Sequence, residues 1–287
     1  MGDNTGIEWT DATWNPVTGC AEVSPGCDHC YAKTFAERWR GTPGHYFERG
    51  FDVHLRFDKI GLPLRWQKPR RIFVNSMSDL FHDAVHDIYI AQVFAVMAYA
   101  HWHTFQILTK RHGRMRSLLT SDQFLDRFDR EYCRIPDLND RYPDLEYAPP
   151  HHVSHLADGP LSNVWLGVST EDQQWANIRI PALLDTPAAV RFVSAEPLLG
   201  EINLHTDPLE AGSPFWGSKL DWVIVGGESG RNARPMHPDW ARSLRDQCEL
   251  AGIAFLFKQW GGLTPKANGR KLDGRTWDQY PEAVLHA

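Results

Sequence analysis

The sequence has little that is typical of a membrane or secreted protein. No apolar run approaches the roughly 18 residues that a membrane-spanning helix needs. The first residues, MGDNTGIEWTD, are polar and acidic, unlike a secretory signal peptide. Cysteine is scarce, with 5 in 287 residues, which does not suggest a disulfide framework. We therefore expect a cytoplasmic protein with reduced thiols and no contact with a membrane.

An excess of basic residues is also lacking. Lys and Arg number 30 against 36 Asp and Glu, so the formal net charge is −6. Tight, sequence-independent binding to duplex DNA usually needs a basic surface, and this balance argues against it, although a local basic patch is still open. The 42% of hydrophobic and 23% of charged residues are typical of a globular protein.

Short apolar runs recur along the chain, and each is followed by a polar or glycine-rich loop. Because these runs show little alternation of polar and apolar residues, they predict strands that are buried on both faces, as in a parallel sheet. They lie at 72–74, 105–108, 164–168, 190–193, 222–225 and 254–257, with a further short strand around 14–17. Helices are predicted over 87–100, with Asp83 or Asp87 as N-cap, and over 238–251, ending at Gly252. The pattern predicts a single α/β domain over 1–287, with an inserted, lid-like excursion at about 130–162.

Three of the five cysteines fall within one short segment. Cys20, Cys27 and Cys30 have the spacing C-x6-C-x2-C, in which a C-x2-C pair can direct two thiolates at one metal or cluster. Three thiolates suit an iron–sulfur cluster with one open iron. Zinc, which prefers four ligands, would need a distant fourth such as His45, His54 or Cys133. Spacing alone leaves both interpretations open.

Polar residues follow all six later strands. In parallel β/α folds the carboxyl ends of the strands carry the functional site. These ends lie at 75–79, 109–111, 169–172, 194–197, 226–230 and 258–260. So many polar strand ends favour a catalytic or binding site over a purely structural metal.

As an ordered set, the motifs at 14–20, 24–32, 75–81, 108–111, 166–171, 194–199 and 225–230 resemble the radical S-adenosylmethionine (radical SAM) superfamily. More narrowly, they resemble a phage- and prophage-associated branch of otherwise unknown function. The likeness runs from about residue 7 to about residue 261. The superfamily's usual first cysteine gap is three residues, whereas here it is six.

The resemblance implies a partial (β/α)6 barrel of the radical SAM type with a C-terminal β/α extension. It implies a [4Fe–4S] cluster on Cys20, Cys27 and Cys30 that cleaves S-adenosylmethionine to a 5′-deoxyadenosyl radical, with an electron donor such as flavodoxin or ferredoxin. The cofactor contacts that we predict are Tyr31, Ser76, Ser78, Asp79, Ser169, Glu171, Glu196, Gly226, Gly227 and Glu228. There are two alternatives. The Ser and acidic residues could cap helices, and Glu196 and Glu228 could form salt bridges to Arg191, Arg231 or Arg234. No residue is predicted to act as a catalytic acid or base.

The densest basic run follows the predicted strand at 105–108, the third strand when the one around 14–17 is counted first. Lys110, Arg111 and Arg114, together with Lys258, could bind phosphate, which predicts a nucleotide, a modified DNA base or RNA as the substrate. A solvated helix face is the plainer interpretation of the same charges. Modification of a peptide or protein, and a zinc-stabilised binding module without catalysis, are the alternative functions.

Overall fold

The fold is given by a computed structural model, which describes residues 5–135, 156, 159–205 and 216–282. These residues form two compact units. Unit 1 comprises the described residues up to 21, the described residues between 36 and 165, and 186–189. Unit 2 comprises 22–35, 166–185 and the described residues from 190 onward.

The strands are β1 (Ala12–Trp14), β2 (Val17–Thr18), β3 (His54–Leu55), β4 (Arg71–Val74), β5 (Thr104–Thr109), β6 (Val164–Ser169), β7 (Val190–Ala195), β8 (Trp222–Gly226) and β9 (Ala254–Gln259). The helices are α1 (Tyr31–Glu37), α2 (Asp87–Tyr99), α3 (His112–Leu119), α4 (Asp122–Cys133), α5 (Gln173–Leu184) and α6 (Pro238–Ala251).

Unit 1 is built on three parallel strands. Strand β4 lies between β1 and β5, with Thr13 opposite Phe73 and Phe73 opposite Gln106. Helix α2 is buried along nearly its whole length, as expected from its almost uniformly apolar sequence. The short strands β2 and β3 form a separate antiparallel pair.

Unit 2 repeats the same construction. Strand β8 lies between β7 and β9, and both pairings are parallel, with Val223 opposite both Val193 and Phe255. Most of β6 also belongs to this unit, and the amide of Thr170 just after it bonds to the carbonyl of Ser194 at 2.9 Å. Helix α6 ends where Gly252 takes the left-handed conformation, with φ 68°, which glycine adopts without strain.

The predicted α/β class and the six predicted buried strands are confirmed. A short strand before the cysteines was also predicted, but its bounds around 14–17 are wrong, because β1 ends at Trp14 and a separate strand, β2, begins at Val17. Pro16 between them has no N–H for a sheet hydrogen bond. Both predicted helices are present, but His86 occupies the N-cap position of α2 in place of Asp83 or Asp87.

The predicted excursion at 130–162 is described only in part. Residues 130–133 continue helix α4, while 136–155 and 157–158 lie outside the described residues. Within the described ranges, no helix has the length and apolar character needed to cross a membrane.

Candidate functional site

Cys20 lies in unit 1 on a backbone that is held at two successive amides. The amide of Gly19 donates to the carbonyl of Met77 at 3.0 Å, and that of Cys20 donates to the carbonyl of Phe51 at 3.2 Å. Gly19 has φ 84°, and a β-carbon there would overlap the carbonyl of Asp52. Glycine is therefore required before this cysteine, and the position of Cys20 is well defined.

The Cys20 thiol contacts an arginine side chain. Nη1 of Arg111 lies 3.5 Å from Sγ of Cys20, and Nη2 donates to the carbonyl of Ala21 at 3.3 Å. Burial raises the pKa of the Cys20 thiol to about 11, an effect that the carboxylate of Asp79 increases and Arg111 opposes. The Arg111 side chain is only 9% exposed, so the predicted phosphate contact from Arg111 is not supported.

Asp79 is a buried acceptor for several groups of unit 1. It accepts from the Thr109 hydroxyl at 2.7 Å and from the amides of Phe81 and Lys110, both at 3.0 Å. Nη1 of Arg111 lies 3.6 Å from the same carboxylate. Asp79, which was predicted to contact the cofactor, thus joins the loop after β4 to the end of β5. It also holds Arg111 next to Cys20.

The two serines of the same loop bond to the segment that precedes Cys20. Ser78 donates to the carbonyl of Val17 at 2.7 Å, and Ser76 donates to the side chain of Asn15 at 3.3 Å. Helix capping does not apply, because α2 begins only at Asp87. Ser76 and Ser78, which were predicted to contact the cofactor, thus donate their hydroxyl hydrogens to groups of the protein itself.

The C-x2-C pair lies in unit 2 at a short 3₁₀ turn, Pro25–Cys27. The amide of Cys27 bonds to the carbonyl of Ser24 at 2.8 Å, and that of Cys30 bonds to the carbonyl of Cys27 at 3.2 Å. A β-carbon on Gly26 would overlap the carboxylate of Glu171. As at Cys20, the residue just before the cysteine has no room for a side chain.

Glu171 and Arg179 form an ion pair in which both side chains are 0% exposed, at 2.9 Å. The Ser24 hydroxyl donates to the same carboxylate at 2.7 Å, and Arg179 also donates to the carbonyl of Ser169 at 2.6 Å. The pair therefore anchors the turn that carries Cys27. Full burial leaves no Glu171 surface for a ribose, and the N-cap of α5 is Asp172.

Arg179 was missed by the sequence reasoning, although a signal was present. It lies on the α5 face that carries Ala176, Ile180 and Leu183, all of which are buried. A charged residue on the apolar face of a helix indicates a buried partner.

A second carboxylate of unit 2 contacts the C-x2-C segment. Glu228 lies 2.9 Å from Nδ1 of His29 and 2.5 Å from Nη2 of Arg234. Arg234 also bonds to Asp28 at 3.1 Å and to the carbonyl of Pro25 at 2.8 Å. Burial acts to raise the pKa of Glu228, but hydrogen bonds from Arg234 and His29 lower it to about 2. The salt bridge between Glu228 and Arg234, predicted as the alternative to a cofactor contact, is confirmed.

Glu196 and Lys258 pair at the ends of β7 and β9, with Nζ 2.8 Å from the carboxylate. Glu196 also accepts from Ser194 at 3.1 Å, and Ser169 donates to its backbone carbonyl. A β-carbon on Gly226 would overlap the Glu196 carboxylate. Lys258, predicted to bind phosphate, thus has an acidic partner within the protein.

The remaining predicted residues have varied surroundings. The Arg114 guanidinium donates to the carbonyls of Phe81, His82 and Val85, and to Asp87 at 2.8 Å, so its predicted phosphate contact is not supported. Gly227 packs against the backbone of Trp260. Tyr31, the first residue of α1, is 57% exposed.

The family comparison covers nearly the whole chain. Residues 4–281 match the profile of one family, described as "Protein of unknown function (DUF5131)". The chain belongs to the DUF5131 family. The predicted membership of the radical SAM superfamily is therefore wrong: the family that matches is DUF5131, and the sequence lacks the usual C-x3-C-x2-C spacing. Neither the curated proteins nor the solved structures contain a match to this DUF5131 chain.

Within the described parts of the chain, no three His, Cys, Asp or Glu side chains are grouped so that they could hold one metal ion. All five cysteines are free thiols, and Cys20, Cys27 and Cys30 are each partly exposed.

Proposed function

We propose that this DUF5131 protein is an iron–sulfur enzyme that uses S-adenosylmethionine. In this proposal Cys20, Cys27 and Cys30 would hold a [4Fe–4S] cluster that keeps one iron open for the cofactor. The observation that carries the proposal is the segment itself. It places three free thiols within residues 20–30, and close-packed Gly19 and Gly26 precede the first two.

The donor set fits a cluster better than a single ion. A structural zinc site takes four protein ligands, whereas the segment supplies three thiols. A cubane held by three thiolates keeps one iron open for a further ligand. This argument favours a cluster over the zinc-stabilised binding module.

When bound, the cluster would supply the electron that cleaves S-adenosylmethionine into methionine and a 5′-deoxyadenosyl radical, which then takes a hydrogen atom from the substrate. The protein's own residues hold the segment and provide charge. Arg111 contacts Cys20, and Glu171 anchors the turn through Ser24. Glu196 and Lys258 form a polar pair at strand ends, where they are suited to contact the polar groups of a bound cofactor.

Two finer predictions belong to this proposal. One is that the parallel strands form a partial (β/α)6 barrel with a C-terminal β/α extension. The other is that the substrate is a nucleotide or DNA base and that a flavodoxin or ferredoxin supplies the electron. The contacts of Arg111, Arg114 and Lys258 within the protein give this choice of substrate no further support.

The test is anaerobic purification followed by analysis of iron, sulfide and zinc. We expect about four irons and four sulfides per chain, lost when Cys20, Cys27 and Cys30 are each changed to Ala. Cys133→Ala, at an exposed cysteine of α4, is the control and should keep the iron. Dithionite and S-adenosylmethionine should then yield 5′-deoxyadenosine. A colourless protein with one zinc per chain would refute the proposal.

A further inference from the structure

We propose that Arg111 raises the reduction potential of the cluster by donating a hydrogen bond to the Cys20 sulfur. This inference rests on the proposed function, and it gives Arg111 a role different from the substrate contact predicted for it. Arg111 would be a positioning and tuning residue that acts through a cluster ligand.

The geometry around Arg111 is that of a residue directed at the cysteine segment. One guanidinium nitrogen, Nη1, lies 3.5 Å from Sγ of Cys20, and the other, Nη2, donates to the carbonyl of Ala21 at 3.3 Å. The planar guanidinium thus binds the ligand atom and the backbone that follows it. A lysine could not make both contacts, because it carries its charge on a single nitrogen.

Other residues of unit 1 keep the guanidinium in this position. Asp79 lies 3.6 Å from Nη1, and Asp79 is itself fixed by the Thr109 hydroxyl and the Lys110 amide. The backbone amide of Arg111 bonds to the same hydroxyl at 2.8 Å. With 9% of its side chain exposed, Arg111 is largely shielded from water, which would otherwise weaken its interaction with the sulfur.

The direction of the effect follows from charge. Reduction adds one electron to the cluster and its thiolates, so a nearby cation and hydrogen-bond donor stabilise the reduced form more than the oxidised form. Hydrogen bonds to the sulfurs are a recognised determinant of iron–sulfur potentials. Removing the guanidinium should therefore make the cluster harder to reduce.

The test compares the wild type with Arg111→Met and Arg111→Lys by redox titration, followed by electron paramagnetic resonance. At the wild-type midpoint we expect the ratio of reduced to oxidised cluster in R111M to fall about tenfold, which for one electron is about 59 mV. R111K, which keeps the charge but loses the second contact, should fall in between. Arg116→Met, at an exposed arginine of α3, is the matched control and should leave the midpoint unchanged.

The outcomes separate the two proposals. A wild type that binds no iron would refute the proposed function and this inference with it. A wild type with a normal cluster, and R111M with the same midpoint, would refute only the inference. If R111M fails to retain iron, R111K decides: a midpoint below that of the wild type supports the role of Arg111, and an equal midpoint overturns it.

Discussion

The two units place their arginines differently with respect to the cysteine segment. In unit 1, Arg111 contacts a cysteine sulfur directly. In unit 2, Arg179 binds the carboxylate of Glu171, which accepts a hydrogen bond from Ser24 in the turn that carries Cys27. Arg234 binds the carboxylate of Glu228 and donates to the carbonyl of Pro25 in the same turn. Chemically similar side chains therefore serve two purposes. In our proposal the unit 1 contact affects the properties of a cluster ligand, whereas the unit 2 contacts maintain the shape of a loop.

This difference separates two kinds of experiment. Changes at Arg111 should alter a redox property first, because its guanidinium contacts the Cys20 sulfur and Asp79 keeps its hydrogen bonds from Phe81, Thr109 and Lys110 when Arg111 is replaced. Changes in the carboxylate contacts of unit 2 should alter folding first. The three stability predictions below test the second half of the comparison, from the largest expected effect to the smallest.

Arg179→Met should cause the largest loss of stability. It leaves the carboxylate of Glu171 fully buried without its cation, and breaking a buried pair in this way costs about 3–5 kcal/mol. The measurement is urea unfolding followed by circular dichroism. Removing both charges in the double variant E171Q/R179M should recover part of the loss.

The matched control is Arg242→Met, which removes an exposed ion pair with Asp273. Exposed pairs contribute little to stability, so R242M should unfold close to the wild-type urea concentration. If R179M and R242M unfolded at the same concentration, the buried pair would have no special structural role.

Acid should weaken the Glu228 contacts over a defined pH range. The pKa of Glu228 is lowered to about 2 from 4.5, so its contribution to stability is complete above about pH 4.5 and is lost as the pH falls toward 2. At 1.36 kcal/mol per pKa unit, the loss is about 3 kcal/mol at most. The measurement is the difference in unfolding free energy between the wild type and Glu228→Gln at pH 6 and at pH 3.

We expect that difference to be smaller at pH 3 than at pH 6. A difference that did not change with pH would mean that Glu228 has an ordinary pKa in the folded protein. The control is Glu22→Gln, which removes an exposed carboxylate of the cysteine segment that pairs with Lys33.

Gly26→Ala should have the smallest of the three effects. The added methyl group would overlap the Glu171 carboxylate, and forcing an extra carbon into a packed site typically costs about 1–3 kcal/mol. Gly113→Ala is the matched control, since nothing lies within 4 Å of a β-carbon there and alanine favours the helix. Thermal unfolding of both variants should therefore move in opposite directions, and equal shifts would argue against close packing at Gly26.

Much of the fold could be predicted because burial on both faces leaves a clear trace in the sequence. Strand β8, for example, consists of apolar residues and one glycine, and all five positions are buried. The gap between β1 and β2 could not be predicted in the same way. Trp14 and Val17 are both apolar, and the interruption depends on Pro16 and on the bonds that Asn15 makes with residues 76 and 77.

The site was less predictable than the fold, because a polar strand end does not specify its partner. Glu171 was expected to contact a cofactor, but its partner Arg179 lies eight residues along the chain. Arg111 is 91 residues from Cys20, so no local pattern could join them. Sequence alone could identify which residues are polar and where the strands end. It could not show whether a charged side chain faces solvent or forms an ion pair with another residue of the protein.

The exposure of residues 21–23 has a consequence for how this family could vary. Ala21, Glu22 and Val23 are exposed and lie outside any helix or strand. They follow Cys20, whose amide bonds to the carbonyl of Phe51, and precede Cys27, which lies in a 3₁₀ turn. Lengthening an exposed loop costs little chain entropy, about 0.6 kcal/mol for each doubling. Insertions and deletions should therefore be tolerated here far better than at Gly19 or Gly26, where an added β-carbon would overlap neighbouring atoms.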